Sequence, residues 1–316
     1  LRGLLRMRAG NYIDALVDFT RSLELEPDQD TYVLASARCY VELNQLDRAI
    51  ASCSDLIRLD PLSVEAHLIR GLAFLQQGQP IPARKDFSTV IELDKENSEA
   101  YRSRGQILMQ EGKLEQAIQD LTTAIDIDPQ DVVALMLRGD IFSLTDRPTD
   151  AAADYREIIK LEPDNLQALH GRAAAFVALK KYNTAAMDFS SILRITPQDS
   201  KALVGRARCY LRLEDYDGAI ADYAQASESG SGTADEINSE YAMAHMARGN
   251  LAFKNKRYGY ALHDYVTAIQ IDPSITPLAK DAMASLFLAQ AQLLPLDTPE
   301  NLLARRELLD SVLERR

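Results

Sequence analysis

Residues 98–131 read SEAYRSRGQILMQEGKLEQAIQDLTTAIDIDPQD. Apolar and small side chains recur at helical spacing over Ser98 to Gln110 and again over Leu114 to Ile127, and Gly112 between the two stretches supplies a turn residue. Two amphipathic helices joined by so short a turn make an antiparallel hairpin, and Pro129 ends it because proline cannot continue a helix. One such hairpin cannot bury its apolar faces alone, so it requires neighbours of its own kind.

Moving outward from this stretch supplies them. Pro27, Pro61, Pro129, Pro163 and Pro197 are separated by 34, 68, 34 and 34 residues, with Lys95 on the missing beat. Ala15, Ala49, Ala83, Ala117, Ala151, Ala185 and Ala219 keep the same step. Ala261 follows after 42 residues, which places an eight-residue insertion behind Ala219 (42 − 34 = 8). Four residues beyond each alanine stand Phe19, Cys53, Phe87, Leu121, Tyr155, Phe189, Tyr223 and Tyr265. Gly3, Gly71, Gly105, Gly139 and Gly249 form a further column, completed by Ala37, Ala173 and Ala207. Small residues there let paired helices approach, and the bulky column fills the remaining space.

A small residue, an alanine twelve positions on, an aromatic four later and a closing proline resemble the tetratricopeptide repeat. The resemblance covers about residues 1–275 and implies an all-α, right-handed superhelical solenoid of about eight helix hairpins. Its frame gives units at 1–29, 30–63, 64–97, 98–131, 132–165, 166–199, 200–241 and 242–275, the seventh carrying the insertion over 227–241. The usual tryptophan column holds Val33, His67, Tyr101, Leu135, Leu169, Leu203 and His245 instead. Residues 276–294 read as a capping helix. Residues 295–316 read as a C-terminal amphipathic helix whose stripe of Leu302, Leu309 and Leu313, with Leu308 and Val312, folds back on the cap or docks on a second chain.

With 47 acidic against 35 basic side chains, a formal charge of −12, the chain lacks the basic footprint of a nucleic-acid binder and is repelled by anionic membranes. No apolar run spans a bilayer, and residues 1–10 do not form a signal peptide. The three cysteines, Cys39, Cys53 and Cys209, contain no CxxC pair, so no disulfide framework or metal module is expected and a reducing, cytoplasmic compartment fits. The chain starts at Leu, which is expected of a piece of a longer protein or assembly.

Because the repeats align with one another, columns carry information. Arginine precedes the small residue at Arg2, Arg70, Arg104, Arg138, Arg172, Arg206 and Arg248, and sixteen residues later stand Asp18, Asp86, Asp120, Asp154, Asp188, Asp222 and Asp264. The remaining unit has lost both at once, with Ser36 and Ser52 in their places. Joint loss favours structural ion pairs between helices over a ladder that binds acidic ligands.

The resemblance places a partner-binding groove on the first helix of each hairpin, and helical spacing selects its residues. They include Leu34, Arg38, Leu68, Leu72, Arg102, Gln106, Met136, Asp140, His170, Val204, Arg208, Met246 and Asn250. Of the 28 residues at these positions 15 are apolar, and the charged ones are four basic and three acidic, in a chain that is acidic overall. That composition suits an extended peptide or amphipathic helix of a partner protein, carrying apolar anchors and some acidic groups. Gly171, Ala174, Ala178 and Gly205 leave most room near residues 167–212, unless helix packing alone accounts for them. The places that would hold a carboxylate clamp for heat-shock chaperones contain Leu34, Arg38, Ile69, Glu99 and Ser103, or Leu68, Leu72, Ser103, Val133 and Leu137, so chaperone tails are not expected. The asparagine ladder of sugar-transferring relatives is absent too.

No catalytic motif, cofactor site or metal site is read. His67, His170, His245 and His263 stand in different units without HxxxH or HExxH spacing, and Cys39 and Cys209 occupy a core column. Within the insertion, Thr233 and Glu236 form either a capping box that starts the next helix about two turns early or an acid-directed phosphorylation site. The expected function is a non-catalytic scaffold or adaptor. The alternative is the recruitment arm of a larger enzyme or chaperone machine whose catalytic part lies elsewhere.

Overall fold

The computed structural model describes residues 2–25, 29–228 and 234–293, and residues 300, 301, 303, 304, 306 and 307 near the C-terminus. Among the described residues it is helical throughout, without strands. Two units divide the chain at Leu161. The first contains α1 (Arg2–Arg8), α2 (Tyr12–Leu25), α3 (Asp30–Glu42), α4 (Leu46–Leu59), α5 (Val64–Gln76), α6 (Pro80–Leu93), α7 (Ser98–Gln110), α8 (Leu114–Ile127), α9 (Val132–Leu144) and α10 (Pro148–Leu161). The second contains α11 (Leu166–Ala178), α12 (Tyr182–Ile195), α13 (Ser200–Arg212), α14 (Tyr216–Glu228), α15 (Ala234–Lys254), α16 (Tyr258–Ile271), a 3-10 turn Pro273–Ile275 and α17 (Thr276–Leu293).

Helix boundaries follow from two columns. Ser63, Asn97, Asp131, Asn165 and Asp199 each accept a hydrogen bond from the backbone N–H three residues on, capping α5, α7, α9, α11 and α13. Such a cap stabilises a helix by about 1 kcal/mol. The turns inside hairpins need one left-handed residue. Gly78 and Gly112 adopt it at φ 75° and 73° without penalty, whereas Asn44, Asp146, Lys180, Glu214 and Lys256 adopt φ 54–60° with a side chain attached. In the turn between α9 and α10 the left-handed residue is Asp146, and Pro148 opens α10.

The cores interlock. Leu68, Ala83, Phe87, Val90, Ala100 and Ile107 form one cluster drawn from α5, α6 and α7. The next takes Leu108, Ala117, Leu121, Ala124, Ala134 and Ile141 from α7, α8 and α9. In the first unit these two hairpins thus complete their cores with the first helix of the hairpin that follows, as stacked repeats do. A methyl group on Gly71 would stand 2.8 Å from Phe87 Cε1, so the glycine column is a requirement of close packing. In the second unit α17 buries Ala279, Met283, Leu286 and Phe287 against Met246, Tyr265 and Ala268. The stripe expected at Leu302, Leu308, Leu309, Val312 and Leu313 lies outside the described residues, as do Pro27 and Thr233.

Candidate functional site

The Arg and Asp columns meet in bidentate pairs. Arg70 Nε and Nη2 donate to Asp86 at 2.8 and 2.8 Å, Arg104 to Asp120 at 2.7 and 2.8 Å, and Arg138 to Asp154 at 2.9 and 2.7 Å. In the second unit Arg172 meets Asp188 at 2.9 and 2.6 Å, Arg206 meets Asp222 at 2.8 and 2.7 Å, and Arg248 meets Asp264 at 3.0 and 2.7 Å. Asp18 is shared by Arg2 and Arg6. All these aspartates are buried, so no acidic ligand reaches the arginines without displacing a buried carboxylate.

A third contact lies sixteen residues back along the chain from the arginine. Nη1 of Arg70, Arg104, Arg138 and Arg206 donates to Ser54, Ser88, Thr122 and Ser190, at 3.2, 3.2, 3.0 and 3.0 Å. Each hydroxyl lies on the second helix of the preceding hairpin, so one guanidinium ties three helices. The signal was a small hydroxyl two places after Asp86, Asp120 and Asp188. Where the arginine is missing, the Ser36 hydroxyl is buried without a hydrogen-bond partner.

Two histidines belong to this framework. His67 Nδ1 lies 3.0 Å from Asp86 Oδ1 and its Nε2 3.1 Å from the Pro61 carbonyl, while His245 Nδ1 lies 2.9 Å from Asp264 Oδ1. Both are buried. Burial also pushes the Cys209 thiol up to about 11 and the Cys53 thiol up to about 12, far from any thiolate nucleophile at neutral pH. Among the described residues no group of His, Cys, Asp or Glu is arranged to hold a metal ion.

On the face expected to form the groove, Leu34, Leu72, Gln106, Met136, Asp140 and Val204 are half-buried, and Asn250 is exposed. Two expected groove residues are core instead. Leu68 is 5% exposed and Met246 2%, because each is covered by the packing of its own hairpin on the next element. Arg38, Arg102 and Arg208, three of the four cations of this face, are also committed. Arg38 contacts Glu65 at 3.3 Å and Glu99 at 4.0 Å, and Arg102 contacts Glu99 at 3.4 Å and Asp131 at 3.1 Å. In the second unit His170 lies 3.0 Å from Asp199 and Arg208 2.6 Å from Glu240.

Around residues 167–208 the second unit opens a recess of about 1150 Å³. Its walls are apolar at Ala174, Val177, Phe189, Val204 and Ile237, with Gln167, His170, Asp199, Lys201, Glu236, Arg208 and Glu240 at the polar positions. Gly205 packs directly on the Phe189 ring, where a methyl group would clash with Cζ, so this small residue is required by close helix packing. A second recess of about 620 Å³, lined in part by Tyr182, Leu211, Arg212, Tyr216, Tyr223 and Met243, shares Val177, Arg208 and Glu240 with the first. Glu236, Ile237 and Glu240 come from the insertion, which α15 takes up as a helical extension beginning at Ala234, ahead of Ala242 where the repeat frame starts the helix. Column reading missed these three, since no other unit has an equivalent segment. Asp199 was missed as well, although it repeats Asp131 in spacing: 29 residues separate Arg102 from Asp131 and His170 from Asp199.

Family models described as tetratricopeptide repeat match residues 6–72, 70–132, 136–200, 177–236 and 204–274. A curated relative, the TPR repeat-containing thioredoxin TTL4 of Arabidopsis thaliana, is 29% identical over 83 residues; the chain covers only 12% of that protein's length, and the match covers 26% of the chain. Solved structures share the fold. The C-terminal part of a TPR repeat-containing protein from Cytophaga hutchinsonii superposes with TM-score 0.58 at 19% identity, covering 79% of this chain and 98% of that one. A tetratricopeptide repeat protein from Parabacteroides merdae gives 0.51 at 17%, covering 90% and 98%. YrrB, described as a TPR protein with an unusual peptide-binding site, gives 0.54 at 13%, covering 56% and 92%.

Proposed function

Because this chain belongs to the tetratricopeptide repeat family, we propose that it is a non-catalytic adaptor that holds a segment of a partner protein against the first helices of its hairpins. The observation that carries the proposal is the recess of the second unit, about 1150 Å³ and apolar at Ala174, Val177, Phe189, Val204 and Ile237. Apolar recesses with a few placed polar groups take side chains of a bound segment. YrrB, a relative in fold, is described as having a peptide-binding site, which supports the same class of ligand here. In the first unit Val133, 52% exposed, and Met136 offer further apolar anchors. Arg38 and Arg102 are paired with carboxylates of the repeats, so apolar contact carries the affinity and charge tunes it.

The three buried free thiols suit a reducing compartment such as the cytoplasm, and no helix among the described residues is long and apolar enough to cross a membrane. The match to a small part of a repeat-containing thioredoxin favours a second reading, in which the repeats are the recruitment arm of a larger enzyme.

The test is affinity capture from lysate with wild type and with the variants Met136→Asp and Val204→Asp, after circular dichroism has shown equal helicity. Loss of a captured protein from either variant supports the groove. Identical captures from all three proteins overturn it.

A further inference from the structure

In the second unit two donors from two helices converge on one carboxylate, and that carboxylate comes from the inserted segment. Arg208 on α13 donates through Nε to Glu240 Oε2 at 2.8 Å and through Nη2 to Oε1 at 2.6 Å. Tyr223 on α14 donates its hydroxyl to Oε2 at 2.8 Å. A planar guanidinium and a phenol aimed at one carboxylate form a receptor for that group. We propose that Arg208 and Tyr223 are the carboxylate-recognising subsite of the groove, and that Glu240 is an intramolecular placeholder which a single acidic side chain of the partner segment displaces. The inference rests on the groove reading above and adds the partner's chemistry to it.

The ion-pair side of the placeholder is weakly held, and the buried Tyr223 hydroxyl that Glu240 satisfies passes to the incoming carboxylate. The Arg208 and Glu240 side chains are 59% and 34% exposed, and ion pairs meeting solvent contribute only about 0–1 kcal/mol. Arg102, by contrast, pairs with Asp131, whose carboxylate caps α9 and is buried. Glu240 caps nothing. The α15 extension is held by other contacts as well, through buried Ile237 and the bond from the Ser227 hydroxyl to Asn238 at 3.0 Å. The pair stands where the two recesses adjoin, so a segment that brings the new carboxylate has apolar room on either side. Lys201 adds positive charge to the larger recess, whereas Asp199 and Glu236 face it as carboxylates. That balance admits one acidic residue between apolar anchors and disfavours an acidic run. The two donors hold the Glu240 carboxyl below its usual range against the opposing effect of burial, in keeping with a site built for the ionised form.

The experiment selects phage-displayed random dodecapeptides on the full chain and on Glu240→Ala, both checked for helicity. Both proteins are expected to select large apolar residues, and Glu240→Ala also an adjacent Asp or Glu. A synthetic peptide of that consensus should bind Glu240→Ala about two- to fivefold tighter than wild type, the gain that removing a competitor worth up to about 1 kcal/mol allows. The gain should vanish with Arg208→Gln added, or when the peptide's Glu is replaced by Gln. Glu240→Gln, which keeps an acceptor for Tyr223, should shift affinity in the same direction. Peptides selected without preference for a carboxylate, or bound equally by wild type and both Glu240 variants, overturn the subsite and leave the groove standing. Failure of every protein to select any peptide overturns the groove and the subsite together.

Discussion

Tyr265 passes its hydroxyl from the buried core to the face of the first helix, where Asn250, fifteen residues earlier, accepts it at 2.9 Å. Tyr155 and Asp140 repeat the arrangement at 2.7 Å. Phe87 replaces the tyrosine where position fifteen residues earlier is Leu72, and Phe189 where it is Ala174. For Tyr223 the corresponding residue is Arg208, a donor, and Glu240 of the insertion supplies the acceptor. A buried hydroxyl therefore selects a polar residue on the groove face, because leaving it unpaired costs more than the bond returns.

Asn250→Leu should accordingly destabilise the protein by about 1–3 kcal/mol, the cost of an unpaired buried hydroxyl. Adding Tyr265→Phe should recover most of it, since Leu72 with Phe87 is the same combination already present in the chain. Urea denaturation of both variants checks this. Equal stability of the single and double variants would contradict the account.

The Arg138–Asp154 pair has 17% and 6% exposed side chains. Asp154→Ala leaves a mostly buried guanidinium uncompensated and should cost about 3–5 kcal/mol. Thermal melting should register that loss while affinity for a selected groove peptide, measured well below the melting temperature, stays unchanged. Unaltered melting would make the pair something other than a structural tie.

Lys180 and Lys256 occupy left-handed turn positions at φ 57° and 60°, where Gly78 and Gly112 stand elsewhere. A side chain there costs roughly 1–2 kcal/mol, partly offset by the extra freedom that glycine brings to the unfolded chain. Lys180→Gly and Lys256→Gly should each raise stability by about 0.5–1 kcal/mol. Gly112→Ala should lower it, and the three melting temperatures test the ordering.

Two ladder aspartates should respond oppositely to acid. Burial alone would raise the Asp264 carboxyl, but hydrogen bonds from His245 and Arg248 hold it below the usual range. Its contribution is therefore complete above the unfolded value, about 3.9, and is lost as pH falls through the lower folded value. Burial raises the Asp154 carboxyl beyond what Arg138 pulls back, so its folded state gains relative stability as pH falls. From about pH 6 to about pH 3, the stability difference between wild type and Asp264→Asn should shrink, and that between wild type and Asp154→Asn should move the other way. Denaturation curves across that range decide it, and parallel trends would refute the assignment.

The amino-acid sequence by itself determined the repeat. A 34-residue period, the glycine, alanine and aromatic columns, and the joint presence of Arg and Asp sixteen residues apart are local regularities, and eight copies make them legible without coordinates. It also showed the small residues Ala174 and Gly205, which line the recess of the second unit, because small residues are visible as letters. Tertiary structure decided what those regularities could not carry. Leu68 and Met246 share helical positions with groove residues, yet their burial depends on which neighbour covers them. Arg38, Arg102 and His170 look like free groove groups until carboxylates from following hairpins are placed beside them. Glu240 has no counterpart in any other unit, so no column predicts it. Its meeting with Arg208 and Tyr223 depends on where an inserted helical turn lands, a matter of contacts between segments far apart in the chain, which periodicity does not encode.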